Sequence, residues 1–148
     1  MEKLKMMIVD DEKRFLSTTR KLLERKNIDV LTASSGAEAL EKLRANNVHV
    51  VILDVKMPGL DGVATLRAIK RNFPMVEVIM LTGHATVESA IEGLKSGAVD
   101  YLMKPADLED IIEKATKAFH RRAAVEEKIR VARMRKLMKS PREMLKNV

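Results

Sequence analysis

The sequence predicts an α/β protein in which five parallel strands form a doubly wound sheet, followed by a helical C-terminal extension. Three observations support this prediction. Five short apolar segments alternate with stretches whose apolar residues recur at helical spacing. Residues 6–9 and 50–53 are continuously apolar, which is typical of parallel strands buried on both faces. The chain has 148 residues, 46% of them hydrophobic, which is enough for one compact core.

The elements follow from this alternation in chain order. The predicted strands are residues 4–9, 28–33, 48–53, 76–81 and 98–103. The predicted helices are residues 12–26, 36–46, 62–72 and 86–96, and a fifth begins near residue 107. Because each crossover helix joins two parallel strands, helices should cover both faces of the sheet. This number of units fits the flavodoxin-like strand order 2-1-3-4-5.

Local signals mark the ends of several predicted helices. Ser35 and Glu38 have the spacing of a capping box at the second helix. The N-caps predicted for the later helices are Asp61, Thr86 and Asp107. Gly97 and the Asn46-Asn47 pair are residues that end helices.

The charge of the chain is concentrated at its C-terminus. Residues 1–119 carry 18 Lys and Arg against 18 Asp and Glu. Residues 120–148 carry ten basic residues against three acidic ones, which accounts for the whole net charge of +7. We therefore predict two parts, a neutral globular domain over 1–119 and a basic, helical tail over 120–148.

Several classes of protein are excluded by composition. The chain has no Cys, which excludes a disulfide scaffold, a cysteine zinc site and a thiol nucleophile. No apolar run approaches the roughly 20 residues that span a bilayer, so no membrane insertion is predicted. Three acids, residues 10–12, follow the first apolar run, which argues against a signal peptide and for a cytoplasmic location.

Polar residues with compatible chemistry follow four of the five predicted strands. These residues are Asp10, Asp11, Asp54, Thr82 and Lys104. The fold brings the carboxyl ends of parallel strands to one edge of the sheet, where ligands bind. Three crowded carboxylates repel one another, and one Lys offsets a single charge, so a divalent cation is the natural complement. An all-oxygen ligand set favours Mg²⁺.

Phosphoryl transfer is the chemistry that this group of residues can perform. A carboxylate can attack phosphorus and form an acyl phosphate, and Asp54 is the candidate nucleophile. Asp10 and Asp11 would hold the metal, while Lys104 and Thr82 would bind the phosphoryl oxygens. A Mg²⁺-dependent phosphohydrolase with an Asp nucleophile is an alternative. It would need a general acid two residues after the nucleophile, where this chain has Lys56.

The chain resembles the receiver domain of two-component response regulators. Four segments carry the resemblance: residues 8–12 (IVDDE), 51–62 (VILDVKMPGLDG), 78–84 (VIMLTGH) and 97–105 (GAVDYLMKP). Each motif alone is weak to moderate, but four in this order and spacing are specific. The resemblance extends over about residues 4–119.

The resemblance implies a role for each residue at the strand ends. Asp54 would accept a phosphoryl group from a sensor histidine kinase or a phosphotransfer protein. Mg²⁺ would be held by Asp11, by Asp54, by the backbone carbonyl of Lys56 and, through water, by Asp10. Lys104 and the Thr82 hydroxyl would contact the phosphoryl oxygens, as the residues themselves suggest.

The resemblance also implies a conformational switch. Tyr101 would turn inward as Thr82 moves toward the phosphoryl group. A downstream protein would bind the face formed by helix 4, strand 5 and helix 5, about residues 84–119. The bond before Pro105 would be cis.

Three further positions would tune the switch or depart from the family. Lys56 and His84 would influence hydrolysis of the acyl phosphate. Gly83 stands where the family often has Ala, so the loop keeps a small residue and gains freedom. A protein of this kind is a phosphorylation-dependent switch. It is not an enzyme beyond its own phosphorylation and autodephosphorylation.

The basic tail leaves several interpretations open. It is too short for a helix-turn-helix domain and lacks a glycine turn, so no sequence-specific nucleic-acid binding is predicted. The tail could be a solvated extension of helix five. It could instead dock on another protein or a second subunit through Val125, Ile129 and Ala132, which leaves a homodimer open. A third interpretation is salt-dependent contact with nucleic acid or anionic lipid, and this includes a regulator that binds DNA through the tail.

Overall fold

Five parallel strands form a single sheet in the computed structural model, which describes residues 2–55, 62–83 and 87–138. The strands are β1 (Lys5–Val9), β2 (Asp29–Ala33), β3 (Val50–Asp54), β4 (Glu77–Thr82) and β5 (Asp100–Met103). Their order is β2-β1-β3-β4-β5, and every neighbouring pair is parallel. The predicted flavodoxin-like sheet is therefore confirmed.

Within the described residues, five helices connect or follow the strands. They are α1 (Lys13–Glu24), α2 (Gly36–Ala45), α3 (Gly62–Asn72), α4 (Val87–Lys95) and α5 (Leu108–Leu137). The Ser35 hydroxyl accepts the Glu38 backbone N–H, which confirms the predicted cap of α2. Asp107 precedes α5, but its side chain makes no capping hydrogen bond, so that predicted cap is only positional. The other predicted N-caps, Asp61 and Thr86, lie outside the described residues.

The sheet is buried on both faces because alternate residues of each strand point in opposite directions. On one face, Met6, Ile8 and Ile52 pack with residues of α1 and α5. On the other face, Met7 and Val9 pack with residues of α2 and α3. The continuous apolar runs of β1 and β3 are thus explained by two separate cores.

The fifth helix is continuous from the globular part of the chain into the predicted tail. Its 30 residues run past position 119 without a break. Arg122 lies beyond that position, yet its side chain is only 10% exposed, and its Nε donates to the Met75 carbonyl at 2.9 Å. The division at residue 119 therefore coincides with no structural break, and the two-part organisation stays a prediction.

No helix within the described part of the chain is both long enough and apolar enough to cross a membrane.

Candidate functional site

The strand register places the predicted site residues side by side. Val9 pairs with Leu53, so Asp10 and Asp54 occupy neighbouring positions at the carboxyl edge of the sheet. Thr82 ends β4, the strand next to β3, and pairs with Met103 of β5. These residues are far apart in sequence and meet because parallel strands end at the same edge.

Three carboxylates form a cluster at this edge. Asp10, Asp11 and Asp54 each offer an oxygen, and these oxygens all lie within 4.8 Å of one another. Asp10 and Asp54 are buried, with 0% and 5% exposure, whereas Asp11 is exposed. Carboxylate oxygens in this number and spacing fit a hard divalent cation, and the exposed Asp11 provides access from solvent.

Both carboxylate oxygens of Asp10 accept a hydrogen bond, although the residue is completely buried. One carboxylate oxygen accepts the Glu12 backbone N–H at 2.9 Å. The other accepts the Lys104 ammonium at 2.5 Å. A buried carboxylate is costly unless its charge is paired and hydrogen-bonded, and these two donors meet that requirement.

Lys104 extends from the end of β5 to the acidic cluster. Its Nζ lies 2.5 Å from Asp10 and 3.6 Å from the nearer oxygen of Asp54. The Lys104 backbone N–H donates to the Thr82 carbonyl at 2.8 Å, which anchors the loop beside β4. The peptide bond between Lys104 and Pro105 is cis.

The acidic cluster changes the proton affinity of Lys104. Burial alone would lower the pKa of its ammonium. The hydrogen bond to Asp10 and the charges of Asp10, Asp54 and Glu12 outweigh burial, so the pKa is raised above its ordinary value. Lys104 is therefore a stable cation at the site.

Thr82 and Gly83 form the part of the site contributed by β4. Thr82 is buried, with 6% of its surface exposed. A Cβ placed on Gly83 would meet no heavy atom within 4 Å. This position is open enough for a small ligand group to approach the strand end.

Gly62 closes the loop that follows Asp54. A Cβ on Gly62 would lie 2.4 Å from the Cα of Val55 and 2.6 Å from its carbonyl oxygen. Only glycine permits this approach of α3 to the residue after Asp54. The contact is between backbone atoms, which cannot give way as the end of a long side chain can.

Comparison with known proteins decides the family. Residues 6–116 match the response regulator receiver domain family, which covers more than half of the chain. The chain is a response regulator receiver domain. Members of this family are phosphorylation-controlled signalling switches that interact with histidine kinases, and they bind Mg²⁺ at an acidic pocket.

Two curated relatives resemble this receiver domain over a part of their own length. The chain is 37% identical over 122 residues to the transcriptional regulatory protein ZraR of Escherichia coli strain K12. The matched region covers 80% of this chain and 28% of ZraR. The chain is also 35% identical over 105 residues to the DNA-binding transcriptional regulator NtrC of the same strain. That match covers 71% of this chain and 22% of NtrC. The chain thus matches about a quarter of the length of these relatives.

Solved receiver domains share the fold almost completely. The response regulator receiver domain protein from Clostridium thermocellum is 40% identical, with a TM-score of 0.77, and the match covers 82% of this chain and 98% of that one. The CheY-like receiver domain protein from Methanospirillum hungatei JF-1 is 28% identical, with a TM-score of 0.79. That match covers 83% of this chain and 98% of the other.

Three other predicted residues of the receiver domain stand as follows. Tyr101 is half-buried on β5, pairs with Met80 and packs against the core on the α2 and α3 face. Lys56 and His84 lie outside the described residues, so their predicted roles in metal binding and hydrolysis stay predictions.

Sequence reasoning overlooked two residues that the fold places in contact with charged or aromatic groups. The ring of Phe15 lies 4.7 Å from the Lys104 ammonium. His49, interpreted as an ordinary residue at the start of a strand, is only 2% exposed; its Nδ1 accepts the Lys5 backbone N–H and its ring lies 4.7 Å from Phe119. His49 lies at the opposite edge of the sheet from the acidic cluster, and its position just before a buried strand was the one available signal.

Proposed function

We propose that Asp54 of this receiver domain accepts a phosphoryl group from a sensor histidine kinase or a phosphotransfer protein. The observation that carries the proposal is the grouping of Asp54 with two further carboxylates and a lysine at the carboxyl edge of the sheet. Burial of Asp54 beside the Lys104 ammonium is an arrangement that suits transfer of an anionic group.

The proposed transfer forms one bond and breaks one. A carboxylate oxygen of Asp54 bonds to phosphorus, and the bond from phosphorus to the donor nitrogen of the kinase histidine breaks. The electron pair of that bond returns to the imidazole. The product is an acyl phosphate on Asp54.

Mg²⁺ would be held directly by Asp11, by Asp54 and by the backbone carbonyl of Lys56. Asp10 would contact the ion through a water molecule. Both Asp10 oxygens already accept hydrogen bonds, from Glu12 and Lys104, which supports an indirect role for this carboxylate. When bound, the ion supplies neutralisation of the phosphoryl oxygens.

Lys104 and Thr82 would bind the phosphoryl group. The Lys104 ammonium lies 3.6 Å from Asp54, so a short shift away from Asp10 would bring it to a phosphoryl oxygen. The Thr82 hydroxyl would move toward the same group, and Tyr101 would turn inward. The new charge contacts would thereby bias the loop between two conformations.

The face formed by α4, β5 and α5 is the proposed output surface. Ile91 and Leu94 of α4 and Met103 of β5 are 46%, 44% and 54% exposed. Exposed apolar side chains on these two elements support binding of a downstream protein or a second copy of the chain. The cytoplasmic location and the absence of catalysis beyond self-directed phosphotransfer and hydrolysis belong to the same proposal.

A regulator that binds DNA through the tail is not preferred. ZraR and NtrC carry regulatory and DNA-binding names, but about three quarters of each lies beyond the matched receiver part. Within residues 120–138, the exposed basic side chains support at most salt-dependent contact with polyanions. No described residue favours the alternative of a phosphohydrolase with external substrates.

Phosphorylation in the presence of acetyl phosphate and Mg²⁺ tests the proposal. The wild-type chain should gain one base-labile phosphate, detected by intact mass spectrometry. Asp54→Asn should gain none, because an amide is a poor nucleophile. Asp100→Asn, which changes an acid at the start of β5, is the matched control and should label normally. Full labelling of Asp54→Asn would refute the proposal.

A further inference from the structure

Phe15 lies in the first turn of α1 and is half-buried against the core that α1 shares with α5. The centroid of its ring is 4.7 Å from the Lys104 Nζ. None of the four segments that carry the family resemblance includes Phe15. The contact between the ring and the cation arises only because α1 and the loop after β5 meet above the carboxyl edge of the sheet.

The Lys104 ammonium has neighbours of two different kinds. Asp10 and Asp54 are anionic acceptors, at 2.5 Å and 3.6 Å. The Phe15 ring also attracts the cation, through the negative face of its π system, but it accepts no strong directional hydrogen bond. The ring can therefore hold the ammonium at the cluster without deciding which oxygen it bonds.

Such a neighbour suits a lysine that changes partner. The lysine stem has four methylene groups and many rotamers, and an ammonium that leaves Asp10 could also turn into solvent. A ring beside the ammonium disfavours that alternative and excludes water from one side, although a quarter of the Lys104 side chain stays exposed. An acid in the place of Phe15 would instead compete with the phosphoryl group for the same N–H donors.

We infer that Phe15 is a positioning residue for Lys104: its ring keeps the ammonium beside the acidic cluster while the ammonium passes from Asp10 to the phosphoryl oxygens. This inference rests on the proposed function, since it assigns Phe15 a part in phosphoryl transfer to Asp54.

Three variants separate the effect of the ring from the effect of packing. Phe15→Leu keeps an apolar side chain but removes the π face, whereas Phe15→Tyr keeps the π face. Phe119→Leu is the matched control, because Phe119 packs against the same core but lies on His49 at the opposite edge of the sheet. Loss of the cation–π contact should slow phosphorylation by acetyl phosphate about two- to fivefold in Phe15→Leu. Phe15→Tyr and Phe119→Leu should stay near the wild-type rate.

The position of Lys104 itself gives a second measurement that needs no phosphorylation. In protein labelled with ¹³C-lysine, the Lys104 ε-methylene protons, assigned by their loss in Lys104→Arg, should show nuclear Overhauser contacts to the Phe15 ring. They should also be shifted upfield by the ring current. In Phe15→Leu the upfield shift should disappear, whereas Phe119→Leu should leave it unchanged.

The two measurements distinguish failure of the inference from failure of the proposed function. Wild-type protein that shows the contact but never gains phosphate would contradict the proposed function, and with it the transfer of Lys104 to phosphoryl oxygens, while the positioning of Lys104 by Phe15 would stand. Phosphorylation that is equally fast in wild type and Phe15→Leu, or equally slow in Phe15→Tyr and Phe15→Leu, would overturn the inference. If Phe15→Leu does not fold, absence of the nuclear Overhauser contact in wild type would still overturn it.

Discussion

Lys104 is bonded to Asp10 rather than to Asp54: its Nζ lies 2.5 Å from the Asp10 carboxylate and 3.6 Å from that of Asp54. The cation therefore neutralises the fully buried acid and leaves the proposed phosphoacceptor the weaker interaction. A divalent cation and Lys104 would accordingly compete for the same negative charge.

Removal of Lys104 should strengthen Mg²⁺ binding. Lys104→Met deletes one positive charge beside the three carboxylates, so Mg²⁺ affinity should rise by about tenfold, or ~1.4 kcal/mol. Isothermal titration calorimetry measures it directly. Lys114→Met is the control, because Lys114 pairs with Asp100 at 2.8 Å, outside the acidic cluster, and its loss should change Mg²⁺ affinity little. Unchanged or weaker binding by Lys104→Met would show that the two cations do not compete.

Removal of Asp11 should have the opposite effect on the metal. Asp11 is the exposed member of the cluster, so Asp11→Asn deletes a proposed direct ligand without creating a buried unpaired charge. Mg²⁺ affinity should fall by at least about tenfold, as expected for loss of one ionic ligand. Asp29→Asn, at the start of β2, is an exposed control. Mg²⁺ binding by Asp11→Asn at wild-type strength would place the metal elsewhere.

Alanine should be tolerated at one glycine of the site and not at the other. Gly62→Ala forces a Cβ against the Val55 backbone at 2.4 Å, and the backbone shift should cost about 1–3 kcal/mol of unfolding free energy. Gly83→Ala meets nothing within 4 Å and should be neutral or stabilising by up to about 1 kcal/mol. Urea unfolding of both variants checks the pair. Equal stability of the two variants would contradict the close approach at Gly62.

Glu38 makes the stability of the N-terminus of α2 dependent on pH. The Ser34 backbone N–H, Lys42 and the Ser34 hydroxyl lower the pKa of its carboxyl to about 2. Because the pKa is lowered, the charged Glu38 carboxylate stabilises the folded state. This stabilisation is complete above pH 4.5, the ordinary pKa, and is lost as pH falls toward 2. Glu38→Gln should cost about 0.5–1 kcal/mol near pH 7, because the group is partly exposed, and progressively less below pH 4.5.

Chemical denaturation of wild type and Glu38→Gln at several pH values measures this difference. Glu41→Gln, an exposed position on the same helix, should show no comparable trend. If the unfolding free energy of Glu38→Gln stays below that of wild type by a constant amount from pH 7 to pH 3, the charge of Glu38 plays no part in stabilising the N-terminus of α2.

Truncation at two positions tests where the globular part of the chain ends. A chain of residues 1–119 retains all five strands of the described residues and should fold, bind Mg²⁺ and accept phosphate. It lacks Arg122, whose Nε donates to the Met75 carbonyl at 2.9 Å and whose guanidinium pairs with Glu126 at 3.0 Å. It should therefore be about 1–2 kcal/mol less stable than a chain of residues 1–127. Equal thermal stability of the two chains would show that the Arg122 contact contributes nothing.

The elements of the fold were predictable because periodicity is a local property. Every observed strand and helix bound, from β1 to the start of α5, lies within two residues of its prediction. Burial on both faces was readable from the continuous apolar runs of β1 and β3, and the cap at Ser35 from a three-residue spacing. The gathering of Asp10, Asp54 and Thr82 also followed from the sequence, because parallel strands place their carboxyl ends together.

The partners of individual side chains depended on tertiary distances that no spacing along the chain encodes. The sequence by itself determined which residues reach the carboxyl edge, since strand length and direction decide that. Only the tertiary structure decided that Lys104 bonds to Asp10 and that Phe15 lies beside the same ammonium. It also decided that Arg122, in the predicted tail, bonds to Met75 in the loop between α3 and β4. Each of these contacts joins elements distant in sequence, so its geometry is set by how the helices pack on the twisted sheet.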